Sequence, residues 1–232
     1  MKTVLITGAN RGIGLEFVKQ YSKAGYQVLA TTRTPLEDNE LKALSQTQEN
    51  IKIFSLDVTD EKQIAGLKSM LSGQAIDILI ANAGYYGPKD EQGQFGQVNT
   101  EEWQKTLLIN AIAPLKLIES FVDNVAASKE KKIVVLSSKM GSMSDNNSGG
   151  CYIYRSSKAA LNAVVKSLSV DLAPQGVKLL SLHPGWVHTE MGGPNALIDT
   201  NTSVTGMRKV ISKLTKKLSG SFIAYDNQSI GW

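Results

Sequence analysis

Along the chain, short apolar runs alternate with longer stretches in which apolar residues recur every three or four positions. Runs at 3–6, 27–30, 51–54, 76–80, 133–136, 177–180 and 222–225 read as strands. Most are nearly continuous rather than alternating, the pattern of strands buried on both faces. Stretches at 13–23, 37–46, 61–71, 101–128 and 153–172 have helical spacing or composition, with Pro114 as a candidate break in the fourth. Start signals agree with two of them: Thr59 precedes Asp60 and Glu61, and Asn99 has Glu102 three residues on.

An order of βαβα predicts an α/β fold of Rossmann type, a doubly wound parallel sheet flanked by helices on both faces. A length of 232 residues suits one domain spanning 1–232. In such sheets ligands bind at the carboxyl ends of the strands, so functional residues belong just after each strand.

Composition narrows the partners. No apolar run approaches the roughly 20 residues of a membrane-spanning helix, and Val4-Leu5-Ile6 is too short for a signal peptide. Cys151 is the only cysteine, which rules out an internal disulfide and predicts a cytoplasmic protein. The net charge of +4 is spread out, and the lysine runs at 129–132 and 213–217 fall near element ends, so no nucleic-acid partner is expected. His183 and His188 lack the acidic or cysteine neighbours of a metal site, and none is predicted. Cys151 has no charged activator nearby and reads as a bystander thiol.

After the first strand comes Thr7-Gly8-Ala9-Asn10-Arg11-Gly12-Ile13-Gly14, then a helix. Glycines let backbone approach a pyrophosphate closely, and free N–H groups at a helix start attract its charge. An NAD site puts an acid at the end of the second strand, but here Thr31-Thr32-Arg33 stands there. Arg33 and Arg11 converging on one phosphate favour NADP(H) over NAD(H).

Two Tyr-x-x-x-Lys spacings occur. Tyr85 and Lys89 are separated by Gly87-Pro88, which forbids a shared helical face. Tyr154 and Lys158 lie in a stretch free of both breakers, so their side chains meet on one face. Tyr152 gains no cation by its spacing. A phenol titrates near 10, and bringing it toward neutral pH takes about 4 kcal/mol, which two close cations in a water-poor cleft supply.

The glycine turn, Asp57-Val58, Asn82-Ala83-Gly84, Asn110, Ser137-Ser138, Tyr154 with Lys158, and Pro184-Gly185 with Thr189 appear in order over nearly the whole chain. Together they resemble the short-chain dehydrogenase/reductase family. The stretches SSKMGSMSDNNSGGCYIYRSSKAALN, LHPGWVHTEMGG and GSFIAYDNQSIGW resemble a subgroup that includes C-factor-like proteins and sniffer-type carbonyl reductases.

The resemblance implies that Tyr154 gives a proton to a carbonyl oxygen as hydride arrives and that Lys158 hydrogen-bonds the nicotinamide ribose. It implies that Ser138 holds the same oxygen, with Ser142 in reserve, and that Asn110 fixes a water leading to solvent. Gly8, Asn10, Arg11, Gly12, Ile13, Gly14, Arg33, Asp57, Val58, Asn82, Ala83, Gly84, Tyr154, Lys158, Pro184, Gly185, Val187 and Thr189 would touch the cofactor.

Residues 184–206 are expected to form a substrate lid. Tyr85, Tyr86, Trp186 and Met191 suggest an apolar wall suited to an aldehyde, ketone or quinone. The resemblance further implies a homodimer, and it keeps open an alternative function as a signalling or developmental protein in which cofactor binding or protein contacts outweigh turnover.

Overall fold

The computed structural model describes residues 1–35, 37 and 39–232, with Glu91 described by its backbone alone. Strand β1 (Thr3–Ile6) is buried at every position and lies between β2 (Gln27–Thr32) and β4 (Ile78–Ala81). β3 (Ile51–Ser55) adds outside β2, while β5 (Lys132–Leu136), β6 (Lys178–His183) and β7 (Ser221–Ala224) add outside β4. The order is β3-β2-β1-β4-β5-β6-β7, and every pairing is parallel. The chain therefore reverses its direction of travel between β1 and β4, which opens a crevice at their carboxyl ends.

Alternate residues of each strand feed two cores. Val4 and Ile6 face α1 (Gly12–Lys23), α2 (Glu40–Thr47) and α7 (Thr200–Ser212), packing with Phe17, Leu41 and Met207. Leu5 and Leu79 face α3 (Glu61–Met70), α5 (Ala113–Ala126) and α6 (Tyr152–Asp171), packing with Ile64, Phe121 and Leu161. Each such fully buried side chain contributes roughly 1.5–3 kcal/mol.

Three helical expectations change. The stretch expected at 37–46 is helical only from Glu40, where Asn39 Oδ1 accepts the Lys42 N–H as an N-cap; residue 38 lies outside the described residues. The stretch at 101–128 becomes α4 (Thr100–Leu107), a π-helical turn (Leu108–Ile112) and α5. Within it the Ala113 N–H donates to Leu108, five residues back. Pro114, which has no N–H to give, is absorbed in the first turn of α5 and does not end the helix. The third is α7, which the hydrophobic pattern did not announce. It takes residues 200–206 out of the segment expected to be a lid, leaving 184–199 as loop.

Beyond β7 the chain turns at Asn227, which adopts a left-handed φ of 72°, and runs back along the sheet edge. Ala224 N–H donates to the Gln228 carbonyl and Ile230 N–H to the Phe222 carbonyl, both at 2.8 Å. Among the described residues, no helix is long and apolar enough to cross a membrane.

Candidate active site

The turn from β1 into α1 is built around an absence of side chains. Gly8 and Gly12 have φ of +64° and +54°, where an L side chain is strained. Gly14 is constrained differently: a Cβ there would lie 2.6 Å from Asn82 Nδ2 and collide with the Gly8 carbonyl oxygen. Asn82 Nδ2 donates to the carbonyls of Thr7 and Gly8 at 2.8 and 3.0 Å. In return, Thr7 Oγ1 accepts the N–H groups of Asn82 and Ala83, each at 3.1 Å. The end of β4 thus fastens the glycine turn, and Asn82 serves as its brace. Helix α1 has no side-chain cap, which leaves its first N–H groups turned to the cleft.

A cleft of about 1090 Å³ runs across the carboxyl ends of the strands. Arg33, Asp57 and Val58 lie at one end, the glycine turn in the middle, and Tyr154 and Lys158 at the other, with Asn10, Arg11, Ile13, Asn82, Ala83, Gly84, Pro184 and Thr189 along the walls. Thr189 overhangs the turn, since a Cβ on Gly12 would come within 3.3 Å of its methyl group. Gly185 and Val187 stand behind this wall. A Cβ at Gly185 would strike Ile198 and Tyr225, and Val187 is buried in a bridge with Ile198. Asp57 Oδ1 accepts the N–H and hydroxyl of Thr59 at 2.9 and 2.7 Å, which shapes the wall. Arg33 is exposed and makes no ion pair among the described residues, whereas Arg11 pairs with Glu190.

Tyr154 and Lys158 meet on the inner face of α6, 8 % and 5 % exposed. Lys158 Nζ lies 5.8 Å from the Tyr154 ring centre and donates to the Leu136 carbonyl at 2.8 Å. Burial pushes the Tyr154 phenol up to about 12, against a hydrogen bond with Ser138 that pulls it down. Burial also pulls the Lys158 ammonium down to about 8. Desolvation therefore dominates both groups in the protein alone, and for Tyr154 it acts opposite to the direction that acid–base work requires.

Ser138 caps a short 3₁₀ turn (Lys139–Gly141), its Oγ accepting the Met140 N–H at 3.2 Å. Gly141 allows that turn to rest on α6, because a Cβ there would be 2.7 Å from Lys158 Cβ. Asn110 sits in the π-helical turn, fully buried. Its Oδ1 accepts the Tyr85 N–H at 2.8 Å, and its Nδ2 donates to the Tyr85 carbonyl at 2.7 Å and to Ser157 Oγ at 2.9 Å. Ser157 donates in turn to the Tyr154 carbonyl. The Asn110 side chain is thereby committed to protein partners.

The other candidates separate cleanly. Ser142 donates to the Gly231 carbonyl, and Ser137 donates to Asn162. Tyr152 is exposed near Phe95. Tyr86 stacks on Tyr154, ring centres 4.5 Å apart, with its hydroxyl 3.6 Å from Cys151 Sγ. Tyr85 gives its hydroxyl to Glu102 at 2.9 Å, while Lys89 reaches across to the carbonyls of Glu190 and Met191, both at 3.1 Å. His183, pulled down to about 4 by burial, accepts the Lys139 N–H. Among the described residues, no three His, Cys, Asp or Glu side chains are grouped to hold a metal.

Sequence reasoning missed Ser157, Gly141, Glu190 and the reach of Lys89. Only Ser157 left a signal, three residues after Tyr154 on the same helical face.

This crevice lies at the reversal point of a parallel sheet, the place where doubly wound folds bind their ligands. A family model described as short chain dehydrogenase matches residues 2–197, and the chain belongs to that family. It is 40 % identical over 157 residues to C-signal of Myxococcus xanthus, covering 68 % of this chain and 93 % of that protein. Among solved structures it is similar to the carbonyl reductase Sniffer of D. melanogaster, with 36 % identity, a TM-score of 0.90 and full coverage of both chains. It is also similar to an NADPH-bound carbonyl reductase from chicken fatty liver, with 32 % identity, a TM-score of 0.91, and coverage of 100 % of this chain and 99 % of that one.

Proposed function

We propose that the protein is an NADPH-dependent carbonyl reductase, reducing an aldehyde, ketone or quinone to an alcohol or hydroquinone. The observation that carries this reading is one continuous cleft lined by Arg11 and Arg33, with the buried Tyr154–Lys158 pair at its inner end. The residues present fit a dinucleotide: Gly14 leaves a cradle that a Cβ would fill, and Arg11 and Arg33 are cations suited to an extra phosphate. When bound, the cofactor supplies the hydride.

The chain supplies the rest. Ser138 and Tyr154 hold the carbonyl oxygen, and the Tyr154 hydroxyl gives it a proton, leaving a phenolate. Lys158, together with the positive charge that the oxidised nicotinamide would add, stabilises that phenolate against the burial that holds the phenol near 12 in the protein alone. Asn110 acts through the Tyr85 backbone and Ser157, keeping α6 in register with the wall. A water beside it would sit at its backbone, since its side chain is committed. Arg11 exchanges Glu190 for phosphate as the cofactor binds, and residues 184–199 close over the substrate. Exposed Leu108, Ile112 and Val170 on α4–α6 support a homodimer, and the lone thiol supports a cytoplasmic setting.

The test follows NADPH and NADH oxidation by absorbance with a panel of aldehydes, ketones and quinones. Turnover with NADPH is expected, and Tyr154→Phe should lower kcat about 10²- to 10⁴-fold with NADPH binding intact. The likeness to C-signal favours a second reading, in which the chain acts as a signal. Undiminished turnover in Tyr154→Phe would refute the proton-donor role, and tight NADPH binding without turnover on any substrate would favour the signal.

A further inference from the structure

The loop that follows β5 carries Ser138, and it is pinned by a segment 89 positions further along the chain. Ser142, 2 % exposed, donates its hydroxyl to the Gly231 carbonyl at 2.6 Å, and the Ser144 N–H donates to the Trp232 carbonyl at 3.0 Å. Ser142 Oγ also accepts the Asp145 N–H at 3.2 Å, so one buried hydroxyl ties the loop to itself and to the segment. Gly231 permits the approach, since a Cβ there would collide with Ser144 Oγ.

The segment is itself fixed to the sheet. Ile230 N–H donates to the Phe222 carbonyl on β7, and the Trp232 ring stacks on Phe222 with centres 5.7 Å apart and planes at 22°. On its other side the loop meets the catalytic helix, where Gly141 rests on Lys158 one turn from Tyr154. Met143 and residues 145–148 are exposed, and the loop is held besides by the Lys139 N–H on His183 and by the Arg155 guanidinium on the Met140 carbonyl and Ser148 Oγ.

We infer that residues 230–232, with Trp232 as their anchor, position Ser138 for the reaction. By tying Ser142 and Ser144 to β7, they set where the Ser138 hydroxyl stands relative to the Tyr154 phenol. This rests on the roles given to Ser138 and Tyr154 under the proposed function. Trp232 touches neither of them; it acts through the loop.

The experiment compares kcat, the KM for the carbonyl and the Kd for NADPH in wild type, Trp232→Ala, Trp232→Phe and Ser142→Ala. It adds Ser138→Ala alone and with Trp232→Ala. Trp232→Ala should lose roughly ten- to a hundredfold in kcat, the scale of a misplaced reacting group, while NADPH binds as in wild type. Trp232→Phe, which keeps a ring to stack, should recover most of the rate. In the Ser138→Ala background the further loss from Trp232→Ala should shrink to within about twofold, because the two act as one unit.

If Trp232→Ala does not fold, Ser142→Ala in the same two backgrounds makes the comparison. Equal losses with and without Ser138, or an undiminished kcat in the folded variants, would overturn the inference, as would an undiminished kcat in Ser138→Ala alone. Tyr154→Phe, run alongside, separates the two failures. If it still turns over, the proton-donor reading falls; if it is inactive while Trp232→Ala is unaffected, only the positioning role falls.

Discussion

Lys158 is a buried cation with a carbonyl as its hydrogen-bond partner, and the cost of that position depends on pH. Its folded value of about 8 lies below the ordinary 10.5. Between those values the unfolded chain binds more protons than the folded one, so stability rises with pH across that window. The cost is fully present below about 8 and is gone above 10.5; it amounts to about 3 kcal/mol. Tyr154 acts in the opposite sense, its raised value making stability fall from 10 to about 12. Lys158→Met should therefore raise the thermal midpoint of the cofactor-free protein most at pH 7, with the advantage fading as pH approaches 10. A constant difference across that range would contradict the buried-ammonium account. The Tyr154–Lys158 pair itself was legible from spacing alone, because four residues on an unbroken helix define a shared face. The preference for Ser138 over Ser142 came from its place directly after the fifth strand, whereas the tie of Ser142 to a partner as remote as Gly231 left no trace in the sequence.

At the level of elements, the inner strands were readable because their apolar residues are buried on both sides, and β3 because Ile51, Ile53 and Phe54 still mark it although Lys52 and Ser55 are exposed. Helix α7 was hidden by its composition: threonines, an asparagine and Gly206 mask a buried face of Val204, Met207, Val210 and Ile211. Its Asp199 cap, which accepts the Thr202 N–H at 2.7 Å, was a signal available in the sequence. The π-helical turn left none, for one extra residue in a helix changes no hydrophobic period reliably. That turn carries Asn110 to the Tyr85 backbone, so Asn110→Ala should leave a buried N–H and carbonyl unpaired. A loss of about 3 kcal/mol is expected, read as a lower urea midpoint with an unchanged slope. A change under about 0.5 kcal/mol would mean that water replaces the amide at no cost.

Over the whole molecule, α4 and α6 are already tied together, Trp103 Nε1 donating to Ser156 at 2.7 Å, and Leu108 and Ile112 of the π-helical turn and Val170 of α6 are exposed. If these side chains meet a second copy, Ile112→Glu combined with Val170→Glu should halve the mass seen by light scattering while leaving the fold intact. An unchanged mass would exclude this face as the interface. The same sheet treats its two margins unequally. On the β7 side the returning 228–230 segment already takes up backbone groups at the margin, while β3 at the opposite margin has Lys52 exposed and, among the described residues, no strand beyond it. Open strands recruit one another when chains are crowded or heated. Aggregates of this protein should therefore grow from β3, and a proline at an outward-facing β3 position would keep concentrated stocks clear longer than any change near β7.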